Sequence, residues 1–161
     1  MDLTPKHANE SATEMVQVVL PDEANPLGFM LGGSVMHLID MAGAIACLRH
    51  TRSRVVTVAV DDLQFLHSIR VGDLIILKAR VTCTFRTSME VEVEVFSEEA
   101  LTGTRTLTSK AFLTFVAIDE HGNRIPVPPV TVESEAERRT CAEAHERREE
   151  RLKRKAKVVS A

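Results

Sequence analysis

The segment that most constrains the fold is residues 33–48, where nearly every side chain is apolar or small. A helix of this composition is surrounded by other structure, whereas a surface helix carries a polar face. The segment is too short to cross a bilayer, which takes ~20 apolar residues, and Ser34, His37 and Asp40 interrupt it. Its smallest residues leave room for a large neighbour such as a curved sheet: Ala42, Gly43, Ala44 and Ala46. The segment therefore predicts a helix in the core of the protein.

One carboxylate, Asp40, lies in the middle of this predicted helix. Removing a carboxylate from water without giving it hydrogen-bond donors is costly, so a carboxylate kept at such a position usually has a use. Asp40 is therefore the first catalytic candidate. The alternative is a structural aspartate that binds a neighbouring loop.

The residues before the helix form a loop that contains Asn25, Pro26, Gly28, Gly32 and Gly33. Glycine lets bare backbone approach a ligand, and the N–H groups at the start of a helix favour negative charge. This helix start precedes Asp40 by about two turns, at 3.6 residues per turn. The pattern predicts an anion-stabilising group on the same helix as the carboxylate.

Length and composition indicate one globular domain. The chain has 161 residues, of which 44% are hydrophobic and 27% charged. A formal net charge of -3 gives no reason to expect nucleic acid or an anionic membrane as a partner. Cys47, Cys83 and Cys141 are interpreted as reduced thiols, not as a disulfide or metal framework. Together with an N-terminus that has no apolar secretory signal, they predict a cytoplasmic protein.

Segments rich in β-branched residues lie on both sides of the helix. They predict five strands, at residues 14–20, 55–60, 74–85, 89–96 and 107–118. Residues 89–95 alternate strictly between apolar side chains and glutamate, which predicts one buried face and one solvated face with Glu90, Glu92 and Glu94. An antiparallel sheet with one wet face fits this pattern.

A proline-rich segment at residues 126–129 separates this domain, residues 1–131, from a charged tail, residues 132–161. Within the tail, Glu143 and Arg147 are four residues apart, as are Glu150 and Arg154. This spacing predicts a solvated helix with ion pairs along its surface. Interspersed glutamates dilute its basic residues, so a polyanionic partner is not expected.

Several motifs occur along the chain in a specific order. They are Asn25-x-x-Gly28-x-x-x-Gly32-Gly33, Asp40, Ala42-Gly43-Ala44, residues 56–61, Val71-Gly72-Asp73, Arg86-Thr87-Ser88 and residues 112–117. In this order they resemble the hotdog-fold acyl-CoA thioesterases of the YciA and cytosolic acyl-CoA hydrolase type, over about residues 14–130. Many hotdog relatives have a histidine before the glycine pair, whereas this sequence has Leu31. A histidine-assisted site is therefore not expected.

The resemblance implies an α+β hotdog fold, with one long central helix wrapped by a curved antiparallel sheet of about five strands and followed by the charged C-terminal helix. It implies hydrolysis of acyl-CoA thioesters to the free carboxylic acid and CoA, within fatty acid metabolism. It implies no metal and no cofactor, since CoA belongs to the substrate and the product. Self-association as a dimer or a trimer of dimers is expected, with Asn25 of one subunit facing Asp40 of the other.

The resemblance also implies a role for each candidate residue. Thioester hydrolysis needs an activated water or a carboxylate nucleophile, and a donor for the charge that develops on the carbonyl oxygen. Asp40 would be the general base or the nucleophile, Asn25 would orient the water or the substrate, and the Gly33 N–H would be the oxyanion donor. The residues expected to bind the CoA part of the substrate are Gly32, Thr57, Val58, Arg86, Thr87 and Ser88.

Two other functions remain open at this point. His37 precedes Asp40 by three residues, so the two side chains can share a helical face as the acid–base pair of a hydratase or dehydratase. A non-catalytic acyl-CoA sensor would keep the pocket without turnover. Release of free thiol distinguishes the thioesterase from both.

Overall fold

The computed structural model describes residues 2–160. Within them lie two helices and seven strands, besides short 3-10 turns: β1 (Lys6–His7), β2 (Thr13–Val18), α1 (Gly32–Thr51), β3 (Arg54–Phe65), β4 (Leu74–Thr84), β5 (Ser88–Glu98), β6 (Arg105–Ile118), β7 (Val130–Thr131) and α2 (Glu135–Val159). The five predicted strands and both predicted helices are confirmed, with ends that differ by a few residues. Among the described residues, no helix is both long and apolar enough to span a membrane.

The five long strands form one antiparallel sheet in the order β2-β4-β5-β6-β3. Alternate residues of β5 turn their side chains toward α1 and are fully buried: Met89, Val91, Val93 and Val95. A Cβ atom added at Gly43 of α1 would come within 3.0 Å of the Phe115 ring of β6. The small residues of α1 thus admit the close approach of a large side chain, as predicted. The α+β hotdog architecture, with one helix against one curved sheet, is confirmed.

The opposite face of the sheet differs from the prediction. Glu90 and Glu92 are only 1% and 4% exposed, so they do not belong to a solvated face. α2 accounts for Glu90, because its Arg147 donates two hydrogen bonds of 2.9 Å to the Glu90 carboxylate. Glu92 instead pairs with Arg80 of β4 and Lys110 of β6. The predicted C-terminal helix exists, but one of its sides packs on the sheet, where Ala144 is 1% exposed.

The cysteines also differ from the prediction. Cys83 of β4 and Cys141 of α2 form a disulfide with a Cα–Cα distance of 4.9 Å, which ties the helix to the sheet. Only Cys47, buried in α1, is a free thiol among the described residues, and burial raises its pKa well above the ordinary value. The sequence spacing of 58 residues between Cys83 and Cys141 gave no sign of this pairing.

Candidate active site

Asp40 lies on the side of α1 that faces the edge strand β3, and its side chain is half-buried. The Thr57 hydroxyl of β3 donates a hydrogen bond of 2.6 Å to Asp40 Oδ1. A charge-assisted bond of this length is strong and fixes the orientation of the carboxylate. The second carboxylate oxygen accepts no hydrogen bond within residues 2–160, so it is available to water or substrate.

Thr57 reaches Asp40 because it pairs with Phe115 of β6, whose ring packs against Gly43 of α1, and cross-strand partners point to the same face of a sheet. The register with β6 shifts only beyond Thr57, between Thr57 and Ala59 and again between Val60 and Asp62. Such bulges redirect the side chains that follow and are common beside active sites. Thr57 points toward α1, whereas Asp61 contacts Arg151 on the other face of the sheet. The contact between Thr57 and Asp40 was not predicted; its signal in the sequence was one threonine within a valine-rich segment.

Asn25 is held firmly by its own loop. Its Oδ1 accepts hydrogen bonds from the N–H groups of Leu27 at 3.0 Å and Phe29 at 3.2 Å. Gly28, at φ +82°, allows the tight turn that makes these bonds possible. The acceptor side of the amide is thus occupied, and the Nδ2 group has no partner among the described residues. Asn25 is prepared to donate hydrogen bonds to a ligand, not to accept them.

The start of α1 is open. Leu31, the residue before the helix, cannot cap it with a side-chain hydrogen bond, and the first N–H groups of a helix have no partners within it. A Cβ atom added at Gly33 would meet nothing within 4 Å, and both Gly32 and Gly33 are exposed. The predicted oxyanion donor at Gly33 is therefore accessible, at the positive end of the helix dipole.

Gly33 and Asp40 of one chain are too far apart to act on one thioester. Seven residues separate them, and a helix rises 1.5 Å per residue, so the two groups lie ~10 Å apart along the axis. Nucleophile and oxyanion donor must both approach a single carbonyl group to ~3 Å. Each protomer therefore carries both the Gly33 donor and the Asp40 carboxylate, but these two groups cannot act on the same thioester within one protomer.

The structure brings some of the predicted CoA-binding residues together and separates others. Val58, Thr87 and Ser88 line one cleft between the sheet and α2. Gly32 lines a different depression next to Phe65. Thr57 contacts Asp40, and Arg86 is exposed outside the cleft. The hairpin that carries Arg86, Thr87 and Ser88 is closed by a hydrogen bond of 2.8 Å from Phe85 N to Ser88 O.

Apolar side chains are exposed along the edge strand β3 and on α1. Val56, Val58 and Val60 on the edge strand β3 are 40–51% exposed, and Met36 and Met41 of α1 are 45% and 39% exposed. An edge strand has unpaired backbone groups, and an apolar edge is an association surface. The free edge of β3 and the exposed methionines of α1 therefore form an apolar surface suited to association.

His37 is exposed and has no hydrogen-bond partner among the described residues, so nothing pairs it with Asp40. A different group brings three metal-binding side chains together: the ligand atoms of Cys83, Cys141 and His145 lie within 4.8 Å of one another. Because Cys83 and Cys141 are bonded to each other, their sulfur atoms are not free thiolates.

A long helix against an antiparallel sheet, with a carboxylate facing an open edge strand, defines a hotdog-fold protein. The profile of the thioesterase superfamily matches residues 27–104. A Bacillus subtilis (strain 168) protein described as an uncharacterized acyl-CoA thioester hydrolase, YkhA, is 37% identical over 93% of this chain and 87% of its own length. The human cytosolic acyl coenzyme A thioester hydrolase is 32% identical over 86% of this chain, which spans only 37% of that larger protein.

Solved structures agree with these relatives. A crystal structure of an apo-hexameric acyl-CoA thioesterase superimposes with a TM-score of 0.90 and 44% identity, over 95% of this chain and 98% of that one. An acyl-CoA hydrolase from Staphylococcus aureus has been solved with butyryl coenzyme A, coenzyme A and coenzyme A disulfide. It superimposes with a TM-score of 0.88 and 32% identity, over 96% of this chain and 94% of that one. That hydrolase has also been solved with an aspartate, an asparagine or a threonine replaced by alanine.

The chain therefore belongs to the thioesterase superfamily, among the acyl-CoA thioester hydrolases. The predicted family, fold and enzyme class are confirmed.

Proposed function

We propose that this protein hydrolyses acyl-CoA thioesters to the free carboxylic acid and CoA, at sites that two protomers build together. The general activity is that of the family. The observation that carries the residue assignment is the short hydrogen bond that aims the Asp40 carboxylate from α1 toward the open edge of the sheet.

In this mechanism, Asp40 acts as a general base or as a nucleophile. As a base, it takes a proton from water while the water oxygen bonds to the thioester carbon; as a nucleophile, it forms a transient anhydride that water then cleaves. Either route breaks the C–S bond, and CoA leaves as a thiolate that takes up a proton. Thr57 is the positioning residue that holds the carboxylate in place.

The Gly33 N–H and Asn25 of the partner subunit complete each site. The Gly33 N–H at the start of α1 and the Asn25 amide in the loop before it are both open to a ligand. Gly33 is too far along its own helix to reach the carbonyl group attacked from Asp40, and in this proposal Asn25 faces Asp40 of the other subunit. Asn25 Nδ2 would hold the carbonyl oxygen or the attacking water, since its Oδ1 is occupied by the loop. The aspartate, asparagine and threonine that were altered in the Staphylococcus aureus enzyme are the residue types that this assignment uses.

Self-association as a dimer or a trimer of dimers follows from this assignment. The exposed valines of β3 and methionines of α1 would be buried if two sheets met edge to edge. The hexameric state of the similar thioesterase supports the larger assembly. A cytoplasmic location is proposed with it, supported by the cytosolic relative.

No metal or cofactor enters the proposed reaction, because the base, the oxyanion donors and water supply all of its steps. Retention of turnover after dialysis against a chelator checks this point.

The experiment that tests the function is free-thiol release by the purified protein from short, medium and long acyl-CoAs. Saturable release on at least one chain length is expected. If acyl-CoAs bind without release, the protein is a sensor; if a hydroxyacyl or enoyl thioester accumulates, it is a hydratase or dehydratase. Single-turnover hydrolysis in water labelled with heavy oxygen tests the nucleophilic role of Asp40, because label in the enzyme arises only when water cleaves the anhydride at the Asp40 carboxyl carbon.

A further inference from the structure

Three side chains with metal-binding atoms meet where α2 packs on the strand β4: Cys83, Cys141 and His145. The ligand atoms of all three lie within 4.8 Å of one another. Cysteine sulfur and histidine nitrogen are the ligands that zinc prefers in proteins, and it binds four ligands in a tetrahedral arrangement. The group therefore has the composition and the compactness of most of a zinc site.

Two rigid elements fix the three ligands. Cys141 and His145 are four residues apart on α2, so successive turns carry them on one side of the helix. Cys83 comes from β4, is only 1% exposed, and has its Cα atom 4.9 Å from that of Cys141. Because helix and strand already hold the side chains together, little conformational freedom is left to lose when a metal binds.

The His145 ring is exposed, and its nitrogen atoms form no hydrogen bond or ion pair within residues 2–160. Its edge lies against the Phe85 ring, with the two ring centres 5.0 Å apart and an angle of 78° between the planes. This aromatic contact favours one orientation of the imidazole. A neutral imidazole nitrogen is a common metal ligand, so His145 is both positioned and free to bind one.

The oxidation state of the two cysteines decides what joins α2 to β4. As a disulfide, Cys83 and Cys141 join the two elements directly. In the proposed cytoplasmic location, thiol reductants keep most cysteines reduced. Two reductant thiols give two electrons and two protons to the Cys83–Cys141 bond, which becomes two protein thiols, while the reductant becomes a disulfide. The reduced group then offers two thiols and one imidazole.

We propose that the reduced protein binds one zinc ion through Cys83, Cys141 and His145, and that this ion replaces the disulfide as the link between α2 and the sheet. Each thiol loses its proton to water as its sulfur binds the metal, so binding one ion releases two protons. Water takes the fourth position, as in other zinc sites with three protein ligands. Because α2 and the helix that carries Asp40 pack on opposite faces of the sheet, zinc takes no part in the proposed hydrolysis.

The experiment titrates the purified full chain with zinc against a competing chromogenic chelator, after reduction by a phosphine. One zinc ion per chain is expected for the reduced protein, and none for the oxidised protein with its disulfide intact. Cobalt(II) in place of zinc should show the sulfur-to-cobalt charge-transfer band of thiolate ligands. Zinc should also raise the melting temperature of the reduced protein, since an ion that binds the native state stabilises it.

Two variants test the ligands. Cys141→Ser removes one thiolate and should bind zinc too weakly to compete with the chelator. His145→Ala keeps both cysteines and changes an exposed side chain, so it tests the proposal if Cys141→Ser unfolds. It should weaken zinc binding by the reduced protein at least tenfold, because even residues that only orient a metal ligand are worth ~10–100-fold.

The chain offers a matched control for each variant. Cys47→Ala removes the cysteine of α1, and His121→Ala removes an exposed histidine from the turn after β6. Both lie outside the group of three ligands, so both variants should bind zinc as the wild type does.

The possible results are distinct. One zinc ion per reduced chain, lost in Cys141→Ser and weakened in His145→Ala, supports the site. A reduced wild type that binds no zinc overturns the proposal, as does a variant of either ligand that keeps wild-type affinity, because the ion is then held elsewhere. Thiol release from acyl-CoA is measured separately on the same preparations. A protein that binds zinc without releasing thiol contradicts the proposed function and leaves the zinc site intact.

Discussion

The two faces of the sheet are built from alternating residues of the same strands, yet they are stabilised in different ways. Toward α1, β5 presents Met89, Val91, Val93 and Val95, all fully buried among apolar neighbours. Toward α2, it presents Glu90 and Glu92, which are equally buried but paired with cations. One face is held by the hydrophobic effect, the other by ion pairs.

The two faces therefore have different roles: the α1 face carries the catalytic candidate, and the α2 face carries ion pairs that bear on stability. On the α1 side the half-buried carboxylate of Asp40 is free on one oxygen and suited to catalysis. On the α2 side the buried carboxylates are paired: Arg147 contacts Glu90 and stacks 3.8 Å from the centre of the Phe112 ring, and Arg151 contacts Asp61. Buried ion pairs add little net stability over apolar residues, but losing one partner is costly.

The largest effect is expected from Asp40→Asn. The substitution is nearly isosteric and removes the charge, so kcat should fall by about 10²–10⁴, the usual worth of a general base. The Thr57 hydroxyl can still donate to the amide oxygen, so the melting temperature should stay close to that of the wild type. Thiol release and thermal denaturation measure the two quantities.

Asp61→Asn is the matched control, since it makes the same change on the other face of the sheet. It should lower the melting temperature, because the half-buried Arg151 loses its counter-charge, and it should leave kcat near the wild-type value. If both variants lost turnover and stability in the same proportion, the separation of the two faces would be wrong.

The next effect is expected from Arg147→Met. The variant leaves Glu90 buried without its cation, which should cost about 3–5 kcal/mol of unfolding free energy. Chemical denaturation measures this loss. The double variant Glu90→Leu/Arg147→Met removes both charges and should recover most of it, since the Thr82 hydroxyl can still donate to the Glu90 backbone oxygen. A double variant as unstable as the single one would show that the pair itself stabilises the outer face.

Most of the fold could be predicted from periodicity. The alternation in β5 predicted correctly that its two faces differ, but periodicity does not predict which element packs on a face. Glu90 on the outer face is covered by Arg147, which lies 57 residues later in the sequence. A signal was present: Arg147 and Arg151 are four residues apart on α2 and pair with Glu90 of β5 and Asp61 of β3, but this match is visible only when helix and sheet are considered together. The two-residue strands β1 and β7 are too short for any pattern to find.

Residues of the candidate site could be predicted where their chemistry differs from that of their neighbours in sequence. Asp40 is a carboxylate among apolar residues, and Asn25 precedes a proline within a glycine-rich loop. Thr57 as the partner of Asp40 was not predictable, because the contact depends on the pairing of Thr57 with Phe115 of β6 and on how α1 packs on that face of the sheet.

The smallest expected effect concerns the unfolding free energy at acid pH. Burial raises the pKa of Glu92, but hydrogen bonds and charge from Lys110 and Arg80 outweigh burial and hold that pKa below its ordinary value of 4.5. A carboxylate whose pKa is lowered by folding stabilises the native state above its unfolded pKa, and that contribution is lost as the pH falls through the folded pKa. The wild type should therefore lose unfolding free energy below about pH 4.5.

Glu92→Gln should have a flatter stability curve in this range, while the two proteins differ by a constant amount above it. Lys110 and Arg80 are both more than 40% exposed, so water can solvate them when the charge of Glu92 is removed. Asp119 and Glu137, whose pKa values are also lowered by hydrogen bonds, remain in both proteins and cancel in the comparison. Parallel curves at acid pH would show that Glu92 is held by packing on the outer face and not by its charge, which would make the two faces alike after all.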